Sequence, residues 1–250
     1  LSCGMGVVFE AYEAKLDRKV AIKQMRPELK TSPQLWEQFV KEAKIVSHLS
    51  HPYVVGIHDL VEQGGEAFII FDYVEGRSLS HLLYERKRLP LAEGAAIIGY
   101  VCEAIAFAHK NNVLHRDLKP ANIMVDQNGY AKVMDFGIAR QAKDGLSRLT
   151  RKDDSGTPAY MAPEQHLGQA GRPADVYSIG VCLYEILTGE LPFCGPDYLS
   201  QKEHRLFQPA RSLVPELPQR LDVLLADVFE PDPAKRIADA PEFLKVLKAL

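Results

Sequence analysis

The chain has 250 residues, of which 46% are hydrophobic and 25% are charged. This is the composition of a globular protein long enough to bury a large core, which excludes a disordered chain. The formal net charge of -3 provides no broad basic surface, so nucleic acid is not an expected partner.

The first 75 residues are predicted to form a small sheet that carries one helix. Short β-type runs cover residues 7–11, 20–25 and 67–73. Between them, apolar residues recur at helical spacing at Leu35, Phe39, Val46 and Leu49. Glu42 falls on this apolar stripe. Either it lies at the edge of the stripe and reaches water, or a cation pairs with it, because unpaired buried carboxylates are rare.

After Gly76 the pattern becomes mainly helical, and we place the boundary between two lobes at residues 72–76. One apolar helical face contains Ile98, Val101, Ile105 and Ala108, and another contains Val176, Ile179, Leu183 and Ile186. Between them, Asn128-Gly129 separates two short β-type runs, which predicts a hairpin. Residues 141–155 are charged and non-periodic, which indicates a loop.

Four short motifs could together perform phosphoryl transfer, which needs a cation, metal ligands and a carboxylate facing the acceptor hydroxyl. They are VAIK at 20–23, HRDLKPAN at 115–122, DFG at 135–137 and APE at 162–164. Each alone is unspecific, but their order and spacing are very specific. Over its whole length, the chain resembles a protein kinase catalytic domain of the bacterial, eukaryotic-like (Hanks) Ser/Thr type.

This resemblance implies an α+β, bilobal protein-kinase fold. Residues 1–74 would form a small β-sheet lobe with one helix, truncated at the glycine-rich loop, and residues 75–250 a larger, mainly helical lobe. The implied reaction is ATP- and Mg²⁺-dependent transfer of the γ-phosphoryl group to serine or threonine hydroxyls of proteins, with Mn²⁺ as an alternative ion.

The resemblance also assigns catalytic roles to individual residues. Lys23 would hold the α- and β-phosphates and pair with Glu42, which would explain a carboxylate on an apolar stripe. Asp117 would orient the attacking hydroxyl and accept its proton, with Thr157 bridging Asp117 and Lys119. The alternative for Asp117 is a solvated turn residue.

For the metal and the nucleotide, the resemblance names a second set of residues. Asp135 and Asn122 would bind Mg²⁺, because hard cations prefer oxygen ligands. The nucleotide would contact Gly4, Gly6, Val8, Ala21, Lys23, Phe71, Asp72, Val74 and Met124. Within this set, Asp72 carbonyl and Val74 amide would bind adenine, and Phe71 would close the pocket behind it. Phe71 could equally be a core aromatic of its strand.

The segment GTPAYMAPE at 156–164 and Lys119 both resemble Ser/Thr kinases rather than tyrosine kinases. Within the family pattern, Glu164 is expected to pair with Arg236, and Asp175 to brace the catalytic loop backbone. A surface ion pair is the alternative for Arg236.

Arg116, next to Asp117, marks the class of kinases that activation-loop phosphorylation often controls. We therefore expect autophosphorylation at Ser147, Thr150 or Ser155, with Thr150 preferred. The alternative is an ordinary polar loop.

One motif departs from the family pattern. Leu1 and Cys3 occupy the first two glycine positions of the GxGxxGxV loop, which weakens the local case for close phosphate cover. This departure favours a second function, a pseudokinase that binds nucleotide as a scaffold. A small-molecule kinase is a third, although such enzymes usually lack the 156–164 pattern. Cys3 is either a reactive thiol near ATP or a small buried hydrophobe.

Localisation and assembly are predicted from weaker signals. The four cysteines lack paired or metal-ligand spacing, which is typical of reduced thiols in the cytoplasm. The apolar runs are interrupted and too short to cross a bilayer, so no membrane segment is expected within these residues. Both ends look cut, so the domain could be the cytoplasmic part of a larger or membrane-anchored protein. Members of the family often pair as homodimers, so a homodimer is a further expectation.

Overall fold

The structure is a computed structural model that describes residues 2–3, 6–25, 27–30, 32–136 and 158–250. The predictions for several residues lie outside this part of the chain. They are those for Leu1, Gly4, Gly137, Ser147, Thr150, Ser155 and Thr157.

The first lobe is built on an antiparallel sheet in the order β1-β2-β3-β5-β4. The strands are β1 (Ser2–Cys3), β2 (Gly6–Glu13), β3 (Arg18–Gln24), β4 (Ile57–Gln63) and β5 (Glu66–Asp72). A 3-10 turn at Pro27–Lys30 leads to α1 (Pro33–Ser47), the one α-helix among the described residues of this lobe. The Ser32 side chain caps α1 by accepting from the Leu35 amide, and the helix buries Phe39, Ala43 and Val46.

The second lobe is mainly helical and carries a small sheet of three strands, β6 (Gly76–Ser78), β7 (Ile123–Asp126) and β8 (Ala131–Val133). A 3-10 turn at Pro120–Asn122 precedes β7. The described helices are α2 (Leu79–Arg86), α3 (Leu91–Lys110), α4 (Pro163–His166), α5 (Arg172–Thr188), α6 (Tyr198–Glu203), α7 (Ala210–Leu213), α8 (Gln219–Val228) and α9 (Ala240–Leu247). The predicted hairpin at Asn128-Gly129 joins β7 to β8.

Helices α3 and α5 form the centre of the second lobe. Most of the α5 side chains are buried, which is typical of a helix enclosed on all sides. Among the described helices, α3 is long and apolar enough to cross a membrane by length and composition. In the structure, however, α3 packs against α5 and α9 and buries Ile98, Val101 and Ile105 completely. The predicted two-lobed α+β architecture is confirmed.

The chain passes from the first lobe to the second after β5, at a point called the chain crossing here. The two lobes are also joined at a second place. The Val55 amide donates to the Val133 carbonyl at 2.9 Å, and the Val133 amide donates to the Tyr53 carbonyl at 2.9 Å. Residues 53–55 therefore attach the first lobe to β8 of the second. At the chain crossing, a Cβ at Gly76 would lie 2.1 Å from the Val125 carbonyl oxygen, so only glycine fits beside β7.

Candidate active site

Residues 115–122 form a loop whose backbone is held by a buried carboxylate. Asp175, in the first turn of α5, accepts from the backbone amides of His115 at 2.9 Å and Arg116 at 2.8 Å. It also lies 2.8 Å from His109 Nε2. Arg116 has a φ of 65°, a strained value for a non-glycine residue that these bonds help to maintain. Asp175 thus braces the loop, as its family position predicts.

The electrostatics of Asp175 explain how a charge persists there. Burial alone would raise the pKa of this carboxyl, but the hydrogen bonds from His109 and from the His115 amide, together with the electrostatic effect of the two nearby imidazoles, outweigh it, and the net pKa lies below its ordinary value. Burial lowers the pKa of His115, so the imidazole favours its neutral form. Asp175 therefore stays ionised inside the lobe.

Three predicted site residues come together within this loop. Lys119 Nζ lies 2.9 Å from Asp117 Oδ2. The Asn122 side-chain amide donates to the Asp117 carbonyl oxygen at 2.8 Å and reaches its Oδ2 at 3.3 Å. Asp117 is only 5% exposed, which does not fit a solvated turn residue. A carboxylate held in place beside a lysine is suited to orienting a hydroxyl and taking its proton.

Lys23 on β3 and Asp135 after β8 meet across the cleft between the lobes. Lys23 Nζ and Asp135 Oδ2 are 2.5 Å apart, although 112 residues separate them in sequence. Both side chains are largely buried, with exposed fractions of 4% and 11%. The geometry brings the predicted phosphate-binding cation next to the predicted metal ligand.

Glu42 does not pair with Lys23 in this structure, contrary to the expectation from the family. Lys23 has Asp135 as its partner, whereas Glu42 Oε1 lies 3.4 Å from Gln38 Nε2, one turn earlier on α1. The Glu42 side chain lines a cavity of about 530 Å³ between α1 and residues 112–116, together with Arg116. Burial raises the pKa of Glu42, while the Gln38 hydrogen bond and the Arg116 charge oppose the rise.

Competing partners explain why Lys23 and Glu42 do not pair. Asp135 provides Lys23 with an opposite charge inside the cleft. Glu42 is only half-buried, and Gln38 and Arg116 already offset part of the cost of its burial. The apolar spacing of α1 indicates which face of the helix is buried but not how far that face stands from β3.

The strand register places four of the predicted nucleotide residues on one face of the first sheet. Val8 pairs with Lys23, and Ala21 pairs with Phe71. Directly paired residues point to the same face, and so do alternate residues of one strand, so these four side chains share a face. Gly6 begins β2, and Gly4 lies outside the described residues. Phe71 is 3% exposed, so it is also a core aromatic.

At the end of β5, the Asp72 side chain is held by two groups at the start of the neighbouring strand β4. Asp72 Oδ2 accepts from the Gly56 amide at 3.0 Å, and Oδ1 lies 2.8 Å from His58 Nε2. These contacts fix the chain that leads to half-buried Val74. Met124, which is also half-buried, lies on β7 of the other lobe.

The segment 158–164 is anchored to the helices beneath it. Arg236 forms two parallel hydrogen bonds to the Glu164 carboxylate, at 2.8 and 3.0 Å. The Arg236 side chain is completely buried, so the predicted pair is confirmed and the surface alternative is wrong. Tyr160 Oη donates to Glu185 at 2.7 Å, and Ser178 Oγ donates to the Tyr160 carbonyl at 2.8 Å.

Sequence reasoning missed three residues that organise this region. His109 contacts Asp175, and the Gln165 side chain links the amide of Ala162 to the carbonyl of Arg116. Lys202 on α6 is completely buried beneath the 158–161 segment. His109 stands next to an apolar stripe of α3, a signal that could have found it. Nothing in the sequence around Lys202 marks that residue.

Comparison with known proteins agrees with this geometry. The family model for the protein kinase domain matches residues 2–247. The serine/threonine-protein kinase PknA of Mycobacterium tuberculosis is 34% identical over 253 residues, covering 99% of this chain and 58% of that protein. The serine/threonine-protein kinase PknB of Mycobacterium leprae is 39% identical over 202 residues, covering 79% of this chain and 32% of that protein.

A solved structure, the PknI kinase domain of Mycobacterium tuberculosis, superimposes with a TM-score of 0.79 at 26% identity. The match covers 99% of this chain and 92% of that domain. The chain spans only 58% and 32% of the two curated relatives, so its counterpart in each is one part of a longer protein. The chain belongs to the protein kinase family, as a serine/threonine-type catalytic domain of the kind found in bacteria.

Proposed function

We propose that the protein containing this domain phosphorylates serine or threonine hydroxyls of other proteins, with ATP as the phosphoryl donor. The observation that carries this proposal is the Asp117–Lys119–Asn122 cluster, which is held on a backbone braced by Asp175. Such a cluster can position a hydroxyl for attack, and positioning accounts for much of the catalysis of phosphoryl transfer.

In this proposal, Asp117 accepts a hydrogen bond from the attacking hydroxyl and takes its proton. The Lys119 ammonium, 2.9 Å from Asp117 Oδ2, offsets negative charge as the phosphoryl group approaches. Asn122 keeps Asp117 in place through its amide hydrogens. Thr157 bridges Asp117 and Lys119, by its position in the family motif.

The protein oxygen atoms available in the cleft also fit a magnesium ion that binds together with the nucleotide. Asp135 provides a carboxylate, and Asn122 provides an amide oxygen to which no described residue donates. The described residues contain no group of three His, Cys, Asp or Glu side chains that could hold a metal by themselves. This suits Mg²⁺, which is usually held by one or two protein groups plus phosphates and water; Mn²⁺ could replace it. When bound, the ion neutralises charge on the phosphates.

The nucleotide lies against the face of β2, β3 and β5 that carries Val8, Ala21 and Lys23. Lys23 binds the α- and β-phosphates, and Gly4 and Gly6 cover them. Adenine lies between Val8 and Ala21 on one side and Met124 on the other. Asp72 carbonyl and Val74 amide hydrogen-bond its edge, and Phe71 closes the back of the pocket.

Several finer features belong to the same proposal. Residues 1–74 and 75–250 are the two lobes of one catalytic domain. The domain autophosphorylates at Ser147, Thr150 or Ser155. The protein acts in the cytoplasm, alone or as the cytoplasmic part of a longer chain, and two copies could pair. Nucleic acid has no role.

A nucleotide-binding scaffold without turnover is the second candidate. The position of Glu42 away from Lys23 favours it, because active kinases require the ion pair between these positions. Leu1 and Cys3 at glycine positions favour it as well.

The test is incubation with Mg²⁺ and γ-labelled ATP, with and without myelin basic protein. We expect label on serine or threonine, and a loss of about 10²- to 10⁴-fold in Asp117→Asn, the range for a positioned general base. The exposed Asp227→Asn on α8 is the matched control and should keep full activity. Unlabelled protein that still binds ATP would favour the scaffold, and equal activity of Asp117→Asn would overturn the assigned base.

A further inference from the structure

Lys202 is a completely buried lysine that has no acidic partner among the described residues. Its relative exposure is 0%, and within the described part of the chain no carboxylate lies within ion-pair distance of Nζ. Burial lowers the pKa of Lys202 to about 7. Burying an ammonium group without a counter-charge is costly, and an apolar side chain would fill the same space without that cost.

The donors of Lys202 all point at one short piece of chain. Nζ donates to the carbonyl oxygens of Pro158 and Met161, the latter at 2.8 Å, and lies 3.4 Å from His166 Nε2. The rings of Phe193 and Tyr198 flank the ammonium, with centroids 5.9 and 5.4 Å away. The aromatic rings and the two carbonyls replace the hydration of the amine.

The segment 158–161 has no helix or strand of its own, so its carbonyls need partners from elsewhere. Helix α5 supplies Ser178 to the Tyr160 carbonyl and Glu185 to the Tyr160 hydroxyl. Lys202 supplies the partners for Pro158 and Met161 from α6. Removing Lys202 would leave two carbonyls at opposite ends of the segment without this donor.

We infer that Lys202 is a positioning residue for the protein acceptor, because it shapes the 158–161 segment on which the acceptor chain lies. The inference rests on the proposed function and takes this segment as the acceptor site, because Gln165 ties Ala162, directly after the segment, to the carbonyl of Arg116 next to Asp117. It gives α6, which carries none of the four motifs named in the sequence analysis, a role in acceptor recognition. Lys202 acts through the backbone of 158–161 and does not touch the reacting atoms.

The test is steady-state kinetics of Lys202→Met, which keeps the length of the side chain and removes its donors. We expect the KM for myelin basic protein to rise about tenfold or more, while the KM for ATP changes less than about twofold. Lys245→Met, at an exposed position on α9, is the matched control and should leave both constants unchanged. A purely structural role would change both KM values together or neither.

Lys202→Gln provides the second variant, because its amide keeps two N–H donors in a smaller side chain. We expect it to recover part of the acceptor affinity. The inference is overturned if both variants fold with an unchanged acceptor KM, or if both fail to fold, since Lys202 would then serve only the fold. Lack of activity in the wild-type protein would instead overturn the proposed function.

Discussion

Two glutamates of this domain, Glu164 and Glu42, meet very different surroundings. Glu164 lies at the base of the large lobe, where Arg236 binds both of its carboxylate oxygens and is itself completely buried. Glu42 lies on α1, half-buried at the edge of a cavity and away from Lys23. A carboxylate enclosed on every side has one partner available, whereas one at the edge of a cavity can exchange partners.

The same contrast separates carboxylates that keep one buried partner from carboxylates that can change partners. At the base of the large lobe, Asp175, Glu164 and Arg236 tie distant segments together through charge-assisted hydrogen bonds with buried partners. On α1, Glu42 is half-buried and Gln38 is exposed, and the contact between their side chains is a long one of 3.4 Å. Four substitutions test this contrast, in order of expected effect on the free energy of unfolding.

Arg236→Leu should have the largest effect. It leaves the Glu164 carboxylate buried without its cation and also removes donors to the carbonyls of Glu230, Pro173 and Pro231. Breaking a buried ion pair from one side typically costs ~3–5 kcal/mol. Denaturant unfolding should show the loss as a lower midpoint with an unchanged slope. The double variant with Glu164→Leu should recover part of it; a loss below ~1 kcal/mol would place the pair among ordinary surface pairs.

Asp175→Asn should have an intermediate effect of ~1–3 kcal/mol, because a charged acceptor of three hydrogen bonds becomes neutral. The pKa of Asp175 lies below its ordinary value of 3.8, so its contribution is present above that pH and is lost as the pH falls through the folded-state pKa. Unfolding measured between about pH 3 and 7 should therefore show a shallower acid loss in the variant. Identical pH profiles of stability in the wild type and the variant would contradict a stabilising role for ionised Asp175.

Glu93→Gln should have a small effect. Its partner Arg86 approaches at 2.6 and 2.7 Å, but both side chains are about 40% exposed. Exposed pairs contribute ~0.2–1 kcal/mol, and salt weakens them. Thermal unfolding at low and high salt should show a difference that shrinks with salt. A loss equal to that of Arg236→Leu would remove the distinction between buried and exposed pairs.

Glu42→Gln should have the smallest effect on stability, within ~0.5 kcal/mol at neutral pH. Burial raises the pKa of Glu42, so ionisation of this carboxyl weakens the folded state as the pH rises through the raised pKa, and neutral Gln avoids that loss. The proposed kinase activity should nevertheless fall by about tenfold to 10²-fold, because active protein kinases require the ion pair between these two positions. The control is Glu37→Gln, an exposed position on the same helix. Full activity of Glu42→Gln would show that turnover does not use that pair.

Much of the fold could be predicted from the sequence because the relevant signals are local. The hairpin at Asn128-Gly129 and the apolar faces of α1, α3 and α5 follow from spacing within single elements. Asp117 and Asn122 lie five positions apart in one loop, so their closeness is local, but their roles were predicted only from the resemblance to a family. The Glu164–Arg236 pair, 72 residues apart, came only from the resemblance to a family.

The unpredicted features depend on how elements are placed against each other. Whether Lys23 meets Glu42 or Asp135 depends on how α1 is placed against β3, which no spacing records. Lys202 lies on a six-residue helix, too short to show periodicity, and its acceptors are backbone carbonyls 41 and 44 residues away. Backbone carbonyls are common to every residue, so they leave no mark in the sequence.

The attachment of residues 53–55 to β8 has a mechanical consequence. It precedes β4, and the chain crossing follows β5, so the small lobe is held at two points beside the β4–β5 edge of its sheet. A body held at two points keeps one rotation, about the line that joins them. Strands β1 and β2 lie at the opposite edge and travel farthest in that rotation. With the phosphates under β2, as proposed above, opening of the cleft and uncovering of the phosphates would be a single movement.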